Sequence, residues 1–407
     1  MKFFVVSLTA GILAFFWIAD TGYKYIPFSH GLGSEIYVKE IDASTTKAIA
    51  TKLVSKVAAE VSKKEVFSAF STTTPRVVTH VSTPEQVRAI YMSSWVAGTP
   101  SIRNRLVKLI DDTELNAVVI DVKDNTGLIS WDSRVRDMDE FIDELHAKNI
   151  YVIARIAAFQ DPAYVKLHPE EAVHSKKTGE IWKDYKGVPW VDTGSKNMWL
   201  YIESVSKESY ARGFDEINLD YIRFPTDGAI SDMTFPISGK GGVFVNKPFI
   251  VGEFYHYITD ALHQDGIPVS GDLFGIIMVT KVDIAVLGQD MHTALETFDF
   301  VAPMIYPSHF YAGTNGYQKP AEHPGPIISY AMQAGMKIAD EVASSTGQAT
   351  STIRAKYRPW YQDFDMGATY TADMVRAQIT AGERLGIDDW MLWDPANHYT
   401  PSALKSQ

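Results

Sequence analysis

The feature that most narrows the fold is a repeat of short apolar runs, each followed by a helical stretch. Runs rich in Val, Ile and Tyr fall at 87–92, 116–124, 151–159, 215–225, 268–275, 300–307, 358–364 and 388–397. Helix-favouring segments follow at 101–112, 138–149, 196–212, 247–264, 284–298, 326–343 and 371–385. Strands joined by helical crossovers make a parallel sheet, and eight is the count that closes on itself. The expected fold class is therefore α/β, a (β/α)8 TIM barrel over 84–400. An open doubly wound sheet is the competing architecture. The loop after the first run reads SSWVAGTP and lacks a G-x-G-x-x-G phosphate turn, and no G-x-x-x-x-G-K-[ST] occurs, which argues against a nucleotide-binding sheet.

The residues before the barrel read differently. Phe3 to Ala19 carries no charge, with Lys2 before it and Asp20 after it. It reads as a signal peptide or an uncleaved membrane anchor over 1–20, with the membrane as a partner and the remainder extracytoplasmic. Trp17 at position −3 of a cut after Ala19 favours the anchor. Residues 21–83 read as a helical stalk and linker. Ile49, Leu53, Val54, Val57, Ala58 and Val61 recur at helical spacing, and STTTPRVVTHVSTP then supplies two prolines among Ser and Thr.

Composition removes several chemistries. With no cysteine among 407 residues, disulfides, thiolate metal sites and cysteine nucleophiles are excluded. A net charge of −11 argues against a nucleic-acid partner. No H-E-x-x-H and no G-x-S-x-G occurs, so neither a zinc site nor a serine hydrolase is supported, and no cofactor is expected.

What remains is carboxylates, and they sit where a barrel places chemistry, at the C-terminal strand ends. Strand two ends in Asp121 and Lys123, strand three carries Arg155, and strand five carries Asp272. Strand six is followed by Tyr306 and His309, strand seven by Asp363, and strand eight by Asn397. On strand four, Glu216, Asn218 and Asp220 share one parity while Ile217, Leu219 and Tyr221 share the other. Alternation makes one face polar, and that face points into the barrel. A purely structural role remains open for the carboxylates: Glu216 or Asp220 pairing with Arg155 or Arg223, Asp121 pairing with Lys123 or Arg155, Asp272 capping a loop or the next helix, and Asp363 as a turn or cap residue. Aromatics crowd the same ends: Tyr91, Trp95, Phe159, Trp190, Tyr221, Phe274, Tyr306, Trp360, Tyr361 and Trp393. Flat rings there suit the C–H faces of sugars, so a carbohydrate is the expected partner.

The strings AIYMSSWVAGTP, LNAVVIDVKDNTG, GFDEINLDYIRFP, APMIYPSHF, RPWYQDF and DDWMLWDPAN, in that order, resemble the putative glycosyl hydrolase domain family, a bacterial set of amylase-like barrels. The resemblance spans about 86–398. It implies a (β/α)8 barrel and a glycosidase activity, with an aspartate nucleophile on strand four, an acid on strand five and a stabilising aspartate on strand seven. Asp220, Asp272 and Asp363 stand at those positions. Asp272 replaces the glutamate of the amylase pattern, and Asn218 stands where amylases carry arginine.

Glycoside hydrolysis needs one carboxylate to attack or activate water and one carboxylic acid to protonate the leaving oxygen. The resemblance thus implies Asp220 as nucleophile or base, Asp272 as general acid and retaining chemistry on a poly- or oligosaccharide. Asp363 would stabilise the transition state. Substrate contacts are expected from Tyr91, Trp95, Asp121, Lys123, Arg155, Arg223, Tyr306, His309, Trp360, Trp393 and Asn397. Two other classes fit the same residues: a non-catalytic carbohydrate-binding barrel, and a metal-dependent hydrolase using Asp121, Asp220 and Asp272. The stretch 227–247, with its GKGG tip, is expected to be a lid or a plain loop.

Overall fold

The computed structural model describes residues 6–9, 12–15, 76–243 and 245–407. Two compact units are distinguished, Met1–Val77 and Val78–Gln407. In the first, Val6–Thr9 and Ile12–Phe15 pair as an antiparallel hairpin. Most of the signal peptide or membrane anchor expected over 1–20 lies outside the described residues, and β-branched and aromatic residues suit the pairing seen. The stalk helix expected within 43–70 lies outside the described residues. Among the described residues no helix is long and apolar enough to cross a membrane.

The second unit is a closed eight-stranded parallel barrel. Its strands are β1 (Arg88–Met92), β2 (Ala117–Lys123), β3 (Tyr151–Ala157), β4 (Glu216–Asp220), β5 (Val269–Phe274), β6 (Phe300–Met304), β7 (Trp360–Gln362) and β8 (Trp390–Trp393). The crossover helices are α1 (Pro100–Asp112), α2 (Met138–Ala147), α3 (Lys196–Ala211), α4 (Lys247–His263), α5 (Met291–Thr297), α6 (Pro324–Thr346) and α7 (Ala372–Glu383). All seven residues of β2 and of β3 are buried. A strand covered by helices outside and side chains inside must be apolar on the outer face throughout, which is why these runs read as nearly continuous Val and Ile. Closure comes from the pairing of β8 with β1, Trp390 to Arg88 through Leu392 to Ile90.

Several boundaries moved for local reasons. The strand expected over 215–225 stops at Asp220, because Tyr221 takes a left-handed φ of 56° and turns the chain out of the sheet. The helix expected over 284–298 is two helices, Lys281–Leu287 and α5, parted by Gly288 at φ 81°. The 227–247 stretch is tied down along much of its length. Its Met233–Thr234 pairs with His174–Ser175 of the β3–α3 loop, and Asp192 accepts from the backbone N–H groups of Ile237 and Ser238.

The barrel interior splits into a floor and a mouth. At the floor, Arg358 donates to both oxygens of Glu216, at 2.8 and 2.9 Å. Glu216 also accepts from the hydroxyls of Tyr151 and Ser270, at 3.1 and 2.7 Å. Glu216 and Arg358 are both fully enclosed. The expected partner was Arg155 or Arg223. Arg358 takes that place because it precedes β7 at the floor, whereas Arg155 pairs in register with Asn218, two residues higher. Residues expected to be free linker seal the floor. Val81 packs on the interior cluster, its N–H donates to Asp215 at 2.8 Å, and Thr83 hydrogen-bonds the Tyr151 hydroxyl at 3.1 Å.

A buried pair broken on one side leaves an uncompensated charge. Arg358→Met is therefore expected to destabilise the protein by ~3–5 kcal/mol. The double variant Glu216→Leu with Arg358→Met is expected to recover most of that loss. Urea melts of the three proteins check this.

Candidate active site

Local structure aims the polar residues. On β4, alternation sends Asn218 and Asp220 inward. On β3, Arg155 sits opposite Asp121 of β2 and Asn218 of β4 in the ladder. The mouth of the barrel thus gathers Asp121, Arg155, Asp220 and Asp272 from four consecutive sheet neighbours.

Arg155 is the hub. One terminal nitrogen donates to Asp121 Oδ1 at 2.5 Å and the other to Asp220 Oδ2. Its Nε faces Asp272 Oδ2 at 3.8 Å. Asp121 also accepts from the Tyr91 hydroxyl at 2.5 Å, and Tyr91 stacks on Trp393 with centroids 4.0 Å apart. Asp220 accepts from the Tyr221 N–H at 2.5 Å, which the left-handed turn at Tyr221 brings back over the carboxylate. Uncommon backbone geometry of this kind gathers at working sites.

Asp272 has a different environment. Its Oδ1 accepts from Trp360 Nε1 at 2.8 Å and from Asn218 Nδ2 at 2.9 Å, both neutral donors. The group is buried, and Asp220 lies close enough to oppose a second negative charge. Burial first and that repulsion second push its carboxyl up to about 8. Asp220, by contrast, takes a guanidinium and a backbone N–H. The two carboxyls therefore sit in unlike surroundings, one among charged and backbone donors and one among neutral side chains.

A pocket of about 140 Å³ opens over them, lined by Arg155, Asp220, Arg223, Asp272 and the rings of Tyr221, Phe274, Tyr306, Trp360 and Trp393. Arg223 is anchored by Asp227 at 2.8 Å and lies 4.8 Å from the centroid of Trp190. Of the ten aromatics expected at the rim, five line this pocket. Tyr91 is packed behind Trp393, while Phe159, Trp190 and Tyr361 are wholly buried in the outer core. Trp95 is exposed and stacks on Arg134, whose Cζ is 4.7 Å from the ring centroid.

Other expected site residues lie elsewhere. A bulge between Asp121 and Lys123 sets Lys123 opposite Ile156 and breaks the parity that would aim it inward. Lys123 is buried beside the helix layer, paired with Asp161 at 2.9 Å. Asp363 accepts from the N–H and hydroxyl of Thr400, at 2.8 and 2.7 Å, and fastens the C-terminal segment. Asn397 spends its side chain on backbone groups of Ser93, Tyr91 and Asp394. His309 stands in a neighbouring groove. Asp121 does not line the pocket and meets Arg155 and Tyr91 instead. Conversely, Asn218 and the Tyr221 N–H, unassigned by sequence, hold the two central carboxyls. The parity of Asn218 with Asp220 was the available signal.

The alternative of a metal held by Asp121, Asp220 and Asp272 meets a direct obstacle. The Arg155 guanidinium occupies the space between these three carboxyls and supplies the positive charge a cation would bring.

Asp272 carries a raised carboxyl value, so its contribution to stability is present below its ordinary value of 3.8 and is lost as pH rises through about 8. Asp272→Asn removes that titration. Its melting temperature relative to the parent is expected to rise between pH 5 and pH 9 by ~4 °C or more. Calorimetry at both pH values checks this.

Comparison with known proteins bears on the family and the fold. The model of the putative glycosyl hydrolase domain matches residues 89–399. A hypothetical protein from Ruminiclostridium thermocellum is 34% identical over 46% of this chain and 99% of its own, with a TM-score of 0.39. The glycoside hydrolase domain of PgaB (BpsB) from Bordetella bronchiseptica covers 79% of this chain and 99% of its own at 14% identity, with a TM-score of 0.55, and supports the barrel fold alone. A class V chitinase from Pseudomonas fluorescens is 11% identical over 78% of this chain and 97% of its own, with a TM-score of 0.47. No curated protein matches the chain. The match over 89–399 spans most of the chain, which therefore belongs to the putative glycosyl hydrolase domain family.

Proposed function

We propose that this member of the putative glycosyl hydrolase domain family is a glycosidase in which Asp220 is the nucleophile or base and Asp272 the general acid. One observation carries the assignment. Two carboxyls share a pocket, one held by Arg155 and a backbone N–H, the other buried among neutral donors and pushed up to about 8. Hydrolysis of a glycosidic bond needs this division of labour.

The steps follow from the contacts. A sugar ring enters against Trp393 and Tyr306, while the wholly buried Trp360 serves as a donor to Asp272. Asp272 enters the reaction protonated and passes its proton to the departing oxygen. Trp360 Nε1 and Asn218 Nδ2 then stabilise the carboxylate left behind. Asp220 attacks the anomeric carbon or activates a water. Arg155 holds one of its oxygens and so orients the other toward the sugar. Asp121 and Tyr91 keep Arg155 in place. We favour retention, with Asp220 as the attacking atom. The proposed substrate is a poly- or oligosaccharide of the cell envelope or exterior, a location whose support is the charge-free run at 3–19.

The test is turnover on a panel of polysaccharides. Asp220→Asn is expected to lower kcat by roughly 10³-fold or more with near-UV circular dichroism unchanged. Because Asp272 must carry a proton, kcat is expected to fall as pH rises through about 8. An Asp220→Asn protein with parental turnover removes the assignment. Proton NMR of the first-formed anomer decides between retention and inversion.

A further inference from the structure

Beside the catalytic pocket lies a second groove of about 300 Å³. The two share Phe274 and Met304 as a common wall. Phe274 is two residues beyond Asp272 on β5, and Met304 is its register partner on β6. The groove therefore begins on the side of the site that carries the acid, away from Arg155 and the β3–β4 edge. Its outer lip is Tyr311, 60% exposed. This ring is not free to swing: its hydroxyl donates to Asp283 Oδ1 at 3.1 Å, and Asp283 in turn accepts from Thr280. His309 Nδ1 is engaged with the Ser308 hydroxyl at 3.0 Å, so the other ring nitrogen is available to a ligand. Leu287 and Phe310 give an apolar floor.

A fixed exposed aromatic, an apolar floor and a few polar atoms form the combination that stacks and hydrogen-bonds a sugar ring. Continuity with the pocket says which ring. In glycoside hydrolysis the acid stands on the side of the departing sugar, and the groove opens from the acid's strand. Charge says which sugars. Asp283 is acidic, and no lysine or arginine is among the groove's lining residues; Arg223, beside its Thr226 and Phe274, is already paired with Asp227, so carboxylated or sulfated rings find no dedicated counter-ion there. We infer that this groove, with Tyr311 as its platform, holds the leaving-group half of an uncharged oligosaccharide, so that the chain acts on polymers of several sugars rather than on disaccharides. This rests on the glycosidase reading above.

The experiment uses the full chain carrying Asp220→Asn, with and without Tyr311→Ala, in calorimetric titrations. The probes are the di- and pentasaccharides of the chitin, cellulose and maltose series, and of galacturonate as the acidic arm. At least one neutral series is expected to bind about tenfold tighter as pentamer than as dimer. Tyr311→Ala is expected to erase most of that length gain and Tyr311→Phe, which keeps the ring but loses its tie to Asp283, to retain part of it. The galacturonate series is expected to show no gain. A length gain that survives Tyr311→Ala, or one seen only with galacturonate, overturns the groove assignment. Wild-type turnover that is equally fast per bond on dimer and pentamer overturns it while leaving the glycosidase reading intact. Neither binding nor turnover with any series overturns both.

Discussion

A guanidinium enclosed at the mouth of a parallel barrel organises everything around it. Arg155 cannot be hydrated there, so it must be matched by charge and by hydrogen-bond acceptors. Asp121 and Asp220 supply both. Their positions on β2 and β4 flank β3 in the ladder, so the strand order itself delivers the triad. Asp272, on β5, comes one strand too far to join with a full contact. It is left buried without a dedicated cation, and neutrality is its cheapest state. The unlike surroundings of the two carboxyls thus follow from the order of strands around one arginine.

A second charged pair lies beneath the first, and its role differs. Glu216 and Arg358 are sealed from both ends, by the mouth above and by residues 80–83 below. Nothing can reach them, so their service is register. A one-residue slip of β4 would send Glu216 into the apolar helix layer and strand Arg358. The pair therefore fixes the height at which Asn218 and Asp220 emerge above it. Stability of the floor and geometry of the mouth are two consequences of the same strand alternation.

How much of this was legible in the sequence depends on the range of the interaction. The eight βα units and the inward parity of Glu216, Asn218 and Asp220 are local patterns, and they could be read directly. That Asp220 and Asp272 stand at the mouth followed from their places at strand ends. The partner of Glu216 could not be read, because Arg358 lies 142 residues further along the chain. Lys123 misled because a bulge changes parity without leaving a mark in the residue types. Asp363 and Asn397 misled in another way. Both sit at strand ends, yet their acceptors and donors are spent on holding neighbouring backbone, and composition does not separate that use from contact with a ligand. The aromatics divided for the same reason: a ring on a strand end can face the mouth or the helices, and only packing decides.

The closing seam of the barrel has a consequence for how the protein is made. Trp390–Leu392 completes the ring by pairing with Arg88–Ile90, the first and last strands of the unit. A ribosome delivers these partners far apart in time. Until the final segment emerges, β1 presents an open parallel edge with no neighbour on one side, and an edge of that kind invites pairing with other chains. That edge therefore stays without its partner until the last strand of the barrel has been synthesised.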